Sequence, residues 1–313
     1  MSPATDTSEP DAAVVVVNYR AAALTERCLA SVHADGGELT LEEVIVDNGS
    51  GDGSVERLRA ALPAARVIAL PDNRGFAAGV NAAFAHTSAA VVLLLNPDTE
   101  VRPGALVALF ERLREHPRSG VLAPLLEGPD GRLAPNAYRR FPTLFAVTIA
   151  LCVPILYALE HAPALHPDAF SPAALDAGRR PAWVSGAAMA VRRTAYDQAG
   201  PLDEGFFLYF EEAEWQSRVA RAGWDIEIVP HARVRHLMRG GGKEALVPSP
   251  HYLASALRYL RLGGVSELVA RPLFALSLAS SWLTLRLIAL LPAKRVRARW
   301  QASAYASLLR EVL

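Results

Sequence analysis

Four short, uninterrupted runs of apolar and β-branched residues constrain the fold more than any other feature of the chain. They are AVVVVN at 13–18, EVIVD at 43–47, RVIAL at 66–70 and AVVLLLN at 90–96. Each run ends in a polar cluster and is followed by a helical pattern. Continuous apolar strands that alternate with helices are typical of a parallel sheet buried on both faces. We therefore predict an α/β fold whose mostly parallel central sheet is flanked by helices.

The polar clusters at the strand ends predict where a ligand binds, because ligands of such sheets lie beyond the carboxyl ends of the strands. Helices are predicted over 22–34, 54–62 and 103–115, with another after the third strand. The second half of the chain is less regular. It has a predicted turn and loop at 129–142, an apolar stretch at 143–159, an irregular connection at 160–181, strands at 183–191 and 224–229, and a helix starting near Glu211.

Composition excludes several classes of protein. Lys+Arg and Asp+Glu both number 32, and this balance gives no support to nucleic-acid binding, which normally needs a basic excess. Two cysteines, Cys28 and Cys152, form neither a disulfide framework nor a zinc motif. Residues 1–11 are polar and acidic, lack the pattern of a secretory signal, and are expected to be a disordered leader. The default compartment is the cytosol.

Several common enzyme motifs are absent from the sequence. No GxGxxG follows the first strand, no GxxxxGK[ST] phosphate loop occurs, and there is no GxSxG nucleophile elbow. Acids instead stand after strands, at Asp47 and Asp98, and at the start of a predicted helix, at Glu211, Glu212 and Glu214.

Seven segments in a fixed order carry a resemblance to a known family. They are VVVVNYR (14–20), VDNGSGDGS (46–54), DNRGFAAGVN (72–81), LLLNPDTEV (93–101), WVSGAAMAVRR (183–193), LDEGFFLYFEEAEW (202–215) and RVRH (233–236). Together they resemble family 2 glycosyltransferases, which have the Rossmann-like GT-A fold, and most of all the rhamnosyltransferase-like branch that builds bacterial cell-wall and surface polysaccharides. The resemblance covers roughly residues 12–240 and implies a GT-A catalytic domain there, followed by a helical segment at 241–313.

The resemblance implies a nucleotide site at the first three strand ends. The aspartate that matches Asp47 holds the base, since a carboxylate can accept the pyrimidine imide N–H; the alternative is a turn or helix-cap aspartate. Asn18, Arg20 and Asn48 would line the same pocket. Arg74 either contacts the base or phosphates or is a solvated loop arginine. Gly75 would let the backbone approach the diphosphate closely.

The segment Asn96-Pro97-Asp98 stands where the family has its DXD metal motif. A departing diphosphate needs its charge neutralised, and Mg²⁺ or Mn²⁺ held by carboxylate oxygen does so. Only Asp98 offers a charge, because Asn96 replaces the first acid. The family often adds a histidine ligand, which here matches His236. The alternatives are a turn aspartate and a structural histidine.

The acids of FEEAEW at 210–215 match the family segment that supplies the catalytic base of inverting transfer. The resemblance assigns this role to Glu212, with Glu where the family has Asp; Glu211 is the neighbouring candidate. Acids in a first helical turn are also favoured by the helix dipole alone. Trp183, Ser185 and Gly186 would shape the floor under the donor sugar and acceptor, although Trp183 could equally be a core residue.

The C-terminal segment is basic and apolar. From residue 258 onward, the sequence has only two acids but nine basic residues. These are Arg258, Arg261, Arg271, Arg286, Lys294, Arg295, Arg297, Arg299 and Arg310. Between Pro272 and Pro292, the polar residues Ser277, Ser280, Ser281 and Thr284 form one helical stripe. Three interpretations remain: a helix at the membrane interface, a helix packed on the catalytic domain, or a transmembrane span, against which Arg286 argues.

Together these features predict an inverting, metal-dependent glycosyltransferase. The resemblance points to dTDP-rhamnose as donor and to a hydroxyl of a glycan or lipid-linked acceptor, with the enzyme peripheral on the cytoplasmic face of the plasma membrane. Three alternatives stay open at this stage: a UDP- or GDP-linked donor, a metal-dependent nucleotidyltransferase, and a catalytically silent protein that binds sugar nucleotides.

Overall fold

The computed structural model of the chain describes residues 10–134, 138–152, 180–237, 249–291 and 295–313. Four predictions therefore lie wholly or largely outside the described residues. They are the leader at 1–11, the irregular connection at 160–181, the boundary at 240 between the catalytic domain and the C-terminal segment, and the basic position Lys294.

An eight-stranded sheet in the order β3-β2-β1-β4-β9-β6-β10-β5 forms the centre of the molecule. Its strands are β1 (Ala12–Asn18), β2 (Leu41–Asp47), β3 (Arg66–Ala69), β4 (Val91–Leu95), β5 (Thr99–Val101), β6 (Ser119–Glu127), β9 (Ala188–Arg192) and β10 (Asp225–His236). Strands β9 and β5 run antiparallel to their neighbours, whereas the other pairings are parallel. The predicted mostly parallel sheet is confirmed.

Burial explains why the valine-rich runs form the inner strands. Val14, Val15 and Val16 of β1 have no solvent exposure, and β4 is buried along its whole length. Runs that are apolar at every position can cover both faces of a sheet only if helices pack on both sides. Strand β3 differs, because it lies at the sheet edge and is partly exposed.

Helices follow the strands as the sequence pattern predicts. Before the C-terminal segment, the described helices are α1 (Ala22–Asp35), α2 (Ser54–Ala61), α3 (Phe76–Phe84), α4 (Ala105–Glu115), α5 (Leu144–Ala150), α6 (Arg193–Ala199) and α7 (Glu211–Arg221). Helix α3 lies close against β1, since a Cβ added at Gly79 would overlap the side chain of Val17. This close packing brings the start of α3 to the carboxyl ends of β1 and β2.

A two-stranded sheet corrects the prediction of turn and loop at 129–142. Strand β7 (Tyr138–Arg139) pairs with β8 (Trp183–Val184), and the Tyr138 hydroxyl donates to Pro124 O at 2.5 Å. Two residues are too few for an alternating pattern, so the strand exists only through its distant partner and was not predictable locally.

The C-terminal segment is helical in its described part. It contains α8 (Pro250–Leu262), α9 (Glu267–Ile288) and α10 (Arg295–Val312). Ser249 and Ser266 cap α8 and α9 by accepting hydrogen bonds from Tyr252 N and Leu268 N. Helix α9 begins before Pro272, earlier than the prolines suggested, and Pro272 lies inside it.

A second hydrophobic cluster joins this segment to the rest of the protein. It contains Phe274 and Leu278 of α9 and Tyr305 of α10, together with Phe206 and Phe210 from the loop before α7. The serine stripe of α9 faces this cluster: Ser281 is fully buried and donates to Leu151 O at 2.8 Å. Among the described helices, α9 alone has the length and composition to cross a membrane, yet one of its faces is packed on protein.

Candidate active site

The ends of β1 and β2 hold a buried polar cluster. The strands pair in register, with Asn18 opposite Asp47. Asn18 Nδ2 donates to Asp47 Oδ2 at 2.7 Å, and Ser50 donates to the same carboxylate from its N at 2.9 Å and from its Oγ at 2.6 Å. Neither Asn18 nor Asp47 exceeds 1% exposure. Asp47 is therefore a rigid turn residue in this structure, with one lone pair of Oδ1 left for a further donor.

Asn48 and Arg74 organise the next loop. Asn48 Nδ2 donates to Asn73 Oδ1 and to Gly75 O, both at 3.0 Å, while its Oδ1 accepts from Arg74 N at 3.2 Å. Arg74 is half-exposed, and its Nη2 donates to Glu204 Oε2 at 2.7 Å. Asn48 thus holds in place the loop that would line the predicted pocket. Arg74 forms an ion pair with Glu204 and is not merely solvated.

Two positions in this region require glycine. Gly49 and Gly75 have φ of 70° and 89°, values that side chains rarely adopt. A Cβ at Gly75 would overlap the backbone of Phe207, whose O accepts from Phe76 N at 3.0 Å. The start of α3 therefore contacts the segment that leads into α7. This contact was not foreseen in the sequence, where Gly75 was assigned to diphosphate approach.

Asp98 and His236 come together although 138 positions separate them in the sequence. In the antiparallel pairing of β10 with β5, His236 lies opposite Thr99, the residue that follows Asp98. The His236 Nε2 and Asp98 Oδ1 atoms lie 3.2 Å apart, with side chains 20% and 14% exposed. The short strand β5, which the sequence pattern did not predict, pairs antiparallel with β10. This pairing brings Asp98 and His236 together. Asn96 stands at the end of β4, and its N donates to Ala187 O at 2.8 Å.

This donor set fits a divalent ion. One carboxylate oxygen and one imidazole nitrogen converge in a partly exposed position, and Mg²⁺ or Mn²⁺ in phosphate-handling sites takes few protein ligands besides phosphate oxygens and water. Within the described part of the chain, no cluster of three or more His, Cys, Asp or Glu side chains is arranged for a metal.

Glu211 and Glu212 form the first turn of α7. Two successive residues with positive φ precede them, Tyr209 at 72° and Phe210 at 68°. Such backbone is strained in non-glycine residues and persists only where the surroundings hold it. Glu211 is 3% exposed and Glu212 is half-buried, and in the described residues neither Oε2 has a hydrogen-bond partner. Each carboxyl group therefore has one buried oxygen whose capacity to accept a hydrogen bond is unused.

Burial sets the protonation of this pair. Desolvation, and then the charge of Glu212, raises the pKa of Glu211 well above its ordinary value. Desolvation also raises the pKa of Glu212, although hydrogen bonds from its own backbone and from Gly186 lower it in part. A carboxylate with a raised pKa is a better proton acceptor near neutral pH.

The turn at 185–187 contacts both halves of the site. Ala187 O accepts from Asn96 N, whereas a Cβ at Gly186 would meet the Phe76 ring at 3.1 Å and come within 3.9 Å of Glu212 Cβ. Ser185 Oγ accepts from Ala187 N at 3.2 Å and shapes this turn. Trp183 is half-buried, and its Nε1 donates to Arg140 O at 2.9 Å, so it is held as part of the small sheet.

Several residues with a structural role at the site were not predicted from sequence. Ser50 links Asp47 to Arg20, whose N donates to Ser50 Oγ at 2.8 Å and whose φ is 51°. Glu204 accepts from both Arg74 and Asn81. Ser50 and Glu204 lie inside motifs that were recognised, so the available signal was their position beside the chemistry and not their residue type.

Comparisons with known proteins show which family the sequence resembles. The sequence model described as glycosyl transferase family 2 matches residues 13–157. The chain is 31% identical over 235 residues to the N-acetylglucosaminyl-diphospho-decaprenol L-rhamnosyltransferase of Mycobacterium tuberculosis, covering 71% of this chain and 75% of the relative. A shorter match, 36% identical over 114 residues, is to the succinoglycan biosynthesis protein ExoO of Rhizobium meliloti, covering 36% of this chain and 32% of that protein.

Two solved structures share the fold. GalNAc-T7 with UDP, GalNAc and Mn²⁺ aligns with a TM-score of 0.59 at 17% identity, over 83% of this chain and 48% of that one, so this chain spans about half of its length. The mannosyltransferase PcManGT from Pyrobaculum calidifontis, with GDP-Man and Mn²⁺, aligns with a TM-score of 0.54 at 17% identity, over 98% and 88%. At this identity the likeness concerns the fold alone.

Proposed function

The chain belongs to glycosyltransferase family 2 and has the GT-A fold, and on that basis we propose that it transfers rhamnose from dTDP-rhamnose, with inversion, to a sugar hydroxyl of a lipid-linked acceptor. The acceptor class is a diphospho-polyprenol that carries N-acetylglucosamine, in cell-wall or surface polysaccharide synthesis. The mycobacterial relative, whose name states such an acceptor and a rhamnosyl group, supports this choice.

One structural observation carries the reaction type. The turn at 185–187 contacts the Asn96 segment on one side and Glu212 on the other. The turn therefore lies between the Asn96 segment that leads to Asp98 and the start of α7 that carries Glu212, and we place the donor sugar at this turn. A sugar there would have its leaving diphosphate near Asp98 and its anomeric carbon towards Glu212.

Glu212 acts as the base in the proposed mechanism. It accepts the proton of the acceptor hydroxyl while that oxygen forms its bond to the anomeric carbon, and the bond from this carbon to the diphosphate oxygen breaks. Attack opposite the leaving group inverts the configuration of the carbon. Asp98 and His236 would hold the divalent ion, which supplies positive charge against the leaving diphosphate.

The proposed lipid-linked acceptor requires the enzyme to work at a membrane surface, which we propose to be the inner face of the plasma membrane. The outer side of α9 supports this location. Its large apolar side chains are exposed, among them Leu276 at 69%, Leu283 at 54% and Leu287 at 58%. Exposed arginines at 295 and 299 on α10 add the positive charge that anionic headgroups attract.

Thermal unfolding with nucleotide sugars tests the donor. A ligand that binds only the folded protein raises its stability, by about 2.7 kcal/mol at a hundredfold excess over Kd. We expect dTDP-rhamnose with Mn²⁺ to raise the melting temperature more than UDP-N-acetylglucosamine or GDP-mannose. Stabilisation by a UDP or GDP sugar alone would show that the donor is wrong, while family membership still favours sugar transfer over nucleotidyl transfer.

A further inference from the structure

The segment 202–210 leads directly to Glu212, the candidate base. Its strained backbone needs contacts from other parts of the protein to keep its conformation. It leads from α6 into α7 and ends in Tyr209 and Phe210, both in the left-handed region. Backbone of this kind needs external contacts to hold it. The position of Glu212 therefore depends on the contacts that hold this segment.

On the side of the proposed nucleotide site, these contacts come from α3 and the loop before it. Phe76 N donates to Phe207 O at 3.0 Å, and Glu204 accepts from Arg74 Nη2 at 2.7 Å and from Asn81 Nδ2 at 3.0 Å. These contacts tie the segment to the elements that carry the proposed donor pocket.

On the opposite side, the segment is held by hydrogen bonds from α8 in the C-terminal segment. Arg258 Nε donates to Asp203 Oδ2 at 3.0 Å, and its Nη2 donates to Asp203 Oδ1 at 2.8 Å, which is a two-pronged pairing of guanidinium and carboxylate. One turn earlier on α8, Ser255 Oγ donates to Leu208 O at 2.9 Å.

The arginine also packs on the backbone that it holds. A Cβ at Gly205 would overlap the Arg258 guanidinium, and the Arg258 Cζ lies 5.3 Å from the centre of the Phe206 ring. The pair is only partly exposed, at 30% for Arg258 and 26% for Asp203. A planar group with fixed donors fits such a position better than a flexible ammonium.

We propose that Arg258 is a positioning residue of the transfer reaction, which holds segment 202–210 through Asp203 so that Glu212 stands at the acceptor hydroxyl. The inference rests on the proposed function of Glu212 as base. It gives the C-terminal segment a part in catalysis that is separate from membrane contact.

The test is a kinetic cycle on the full chain with dTDP-rhamnose and a short-chain diphospho-lipid carrying N-acetylglucosamine. We expect Arg258→Gln to lower kcat on the order of 10²-fold, because small misplacements of a catalytic group cost about this much. The KM for the donor and the affinity for dTDP should change little, since Arg258 donates its hydrogen bonds to Asp203 and not to a residue of the proposed nucleotide pocket. Arg258→Lys should recover only part of kcat.

Two further variants make the result specific. In a Glu212→Gln background, Arg258→Gln should slow transfer no further, because both changes remove the same base. Arg261→Gln is the matched control: it lies one turn away on α8 and forms an exposed pair with Glu267, so its kcat should equal that of the parent. If Arg258→Gln does not fold, Asp203→Asn carries the same test.

The outcomes separate this inference from the proposed function. A normal kcat in Arg258→Gln, with Glu212→Gln slow, overturns the positioning role and leaves the base assignment intact. Independent, multiplicative losses from the two substitutions also overturn it. A normal rate in Glu212→Gln itself would instead show that the base is wrong, and the positioning role would fall with it.

Discussion

At the scale of single residues, two adjacent glutamates differ in environment. As whole residues, Glu211 is almost fully enclosed and Glu212 is half-buried beside the turn at Gly186, while the Oε2 atom of each is buried. We expect Glu212→Gln to slow transfer by roughly 10²–10⁴-fold while the affinity for dTDP stays unchanged. Glu211→Gln should have a much smaller effect on the rate. If single-turnover rates show the reverse order, the base is Glu211.

The buried Glu211 also predicts how stability depends on pH. Its pKa is raised on folding, chiefly by burial, so its contribution to stability is fully present below the ordinary value of 4.5 and is lost as pH rises through the raised pKa. Each unit of difference is worth about 1.4 kcal/mol. We expect Glu211→Gln to raise the melting temperature at pH 7.5 and to change it little at pH 4.5. An equal change in melting temperature at both pH values would show that burial of the ionised Glu211 carboxylate does not destabilise the protein.

Asp47 poses the sharpest question between a structural and a ligand-binding role. Its carboxylate already accepts three hydrogen bonds from Asn18 and Ser50. We expect Asp47→Ala to weaken dTDP and dTDP-rhamnose binding alike, measured by calorimetry, because the lost contact is to the base. Ser50→Ala, which loosens the same turn but keeps the carboxylate, is the control. Equal losses in both variants would mean that Asp47 serves the turn alone.

Sequence could name most of these residues but not their contacts. Asp98 and His236 are each predicted through a motif, and the structure places their side-chain atoms 3.2 Å apart; their role as metal ligands stays a prediction. Arg74 could not be assigned, because its partner Glu204 is 130 positions away and carries no pattern of its own. Long-range pairing decides such roles, and a local pattern does not contain it.

At the scale of elements, the four βα units were predictable because an apolar β-branched run has few alternatives to a buried strand. Strand β6 was missed because Gly120 and Pro124 interrupt its apolar run. Pro124 is tolerated beside a register shift in the pairing with β10, between Val229 and Arg233, where the ladder is irregular. Strands β5 and β7 are too short to show a period.

Helix α9 shows that a polar stripe need not face water. Its serines point towards the second hydrophobic cluster, where Ser281 has a backbone partner, and large apolar residues face outward. Small hydroxyl side chains allow close packing and satisfy themselves on backbone carbonyls. Among the described residues, the outer apolar side chains of α9 stay exposed, and we propose that a membrane contacts them.

Surface substitutions test that contact better than truncation, because α9 and α10 also pack against Phe206 and Phe210. We expect the double variant Leu276→Glu and Leu283→Glu to lose binding to anionic vesicles in co-sedimentation, while Val107→Glu, at an exposed apolar position on α4, does not. Salt should weaken binding of the parent chain, since each basic residue contributes on the order of 1 kcal/mol, screened by ions. Equal binding by the parent and both variants would show that this face does not touch the membrane.

At the scale of the whole molecule, two hydrophobic clusters meet at the start of α7, the helix that carries Glu212. The large cluster holds the sheet and Trp215 of α7, while the second holds the C-terminal helices and Phe210, the residue before α7. Helix α7 thus packs into the large cluster, and the residue before it packs into the second. This arrangement joins the C-terminal helices, where we propose that the acceptor arrives, to the start of the helix that carries Glu212.

Product analysis tests the central claim most directly. The full chain is incubated with dTDP-rhamnose and a diphospho-lipid carrying N-acetylglucosamine, with Mn²⁺ or with chelator, and the product is examined by mass spectrometry and by NMR of its new anomeric centre. We expect one added deoxyhexose of inverted configuration, release of dTDP, loss of turnover in chelator and its return with Mn²⁺; Asp98→Asn should resemble the chelated enzyme. Full turnover in chelator, or a product with retained configuration, would contradict metal-assisted inverting transfer at this site.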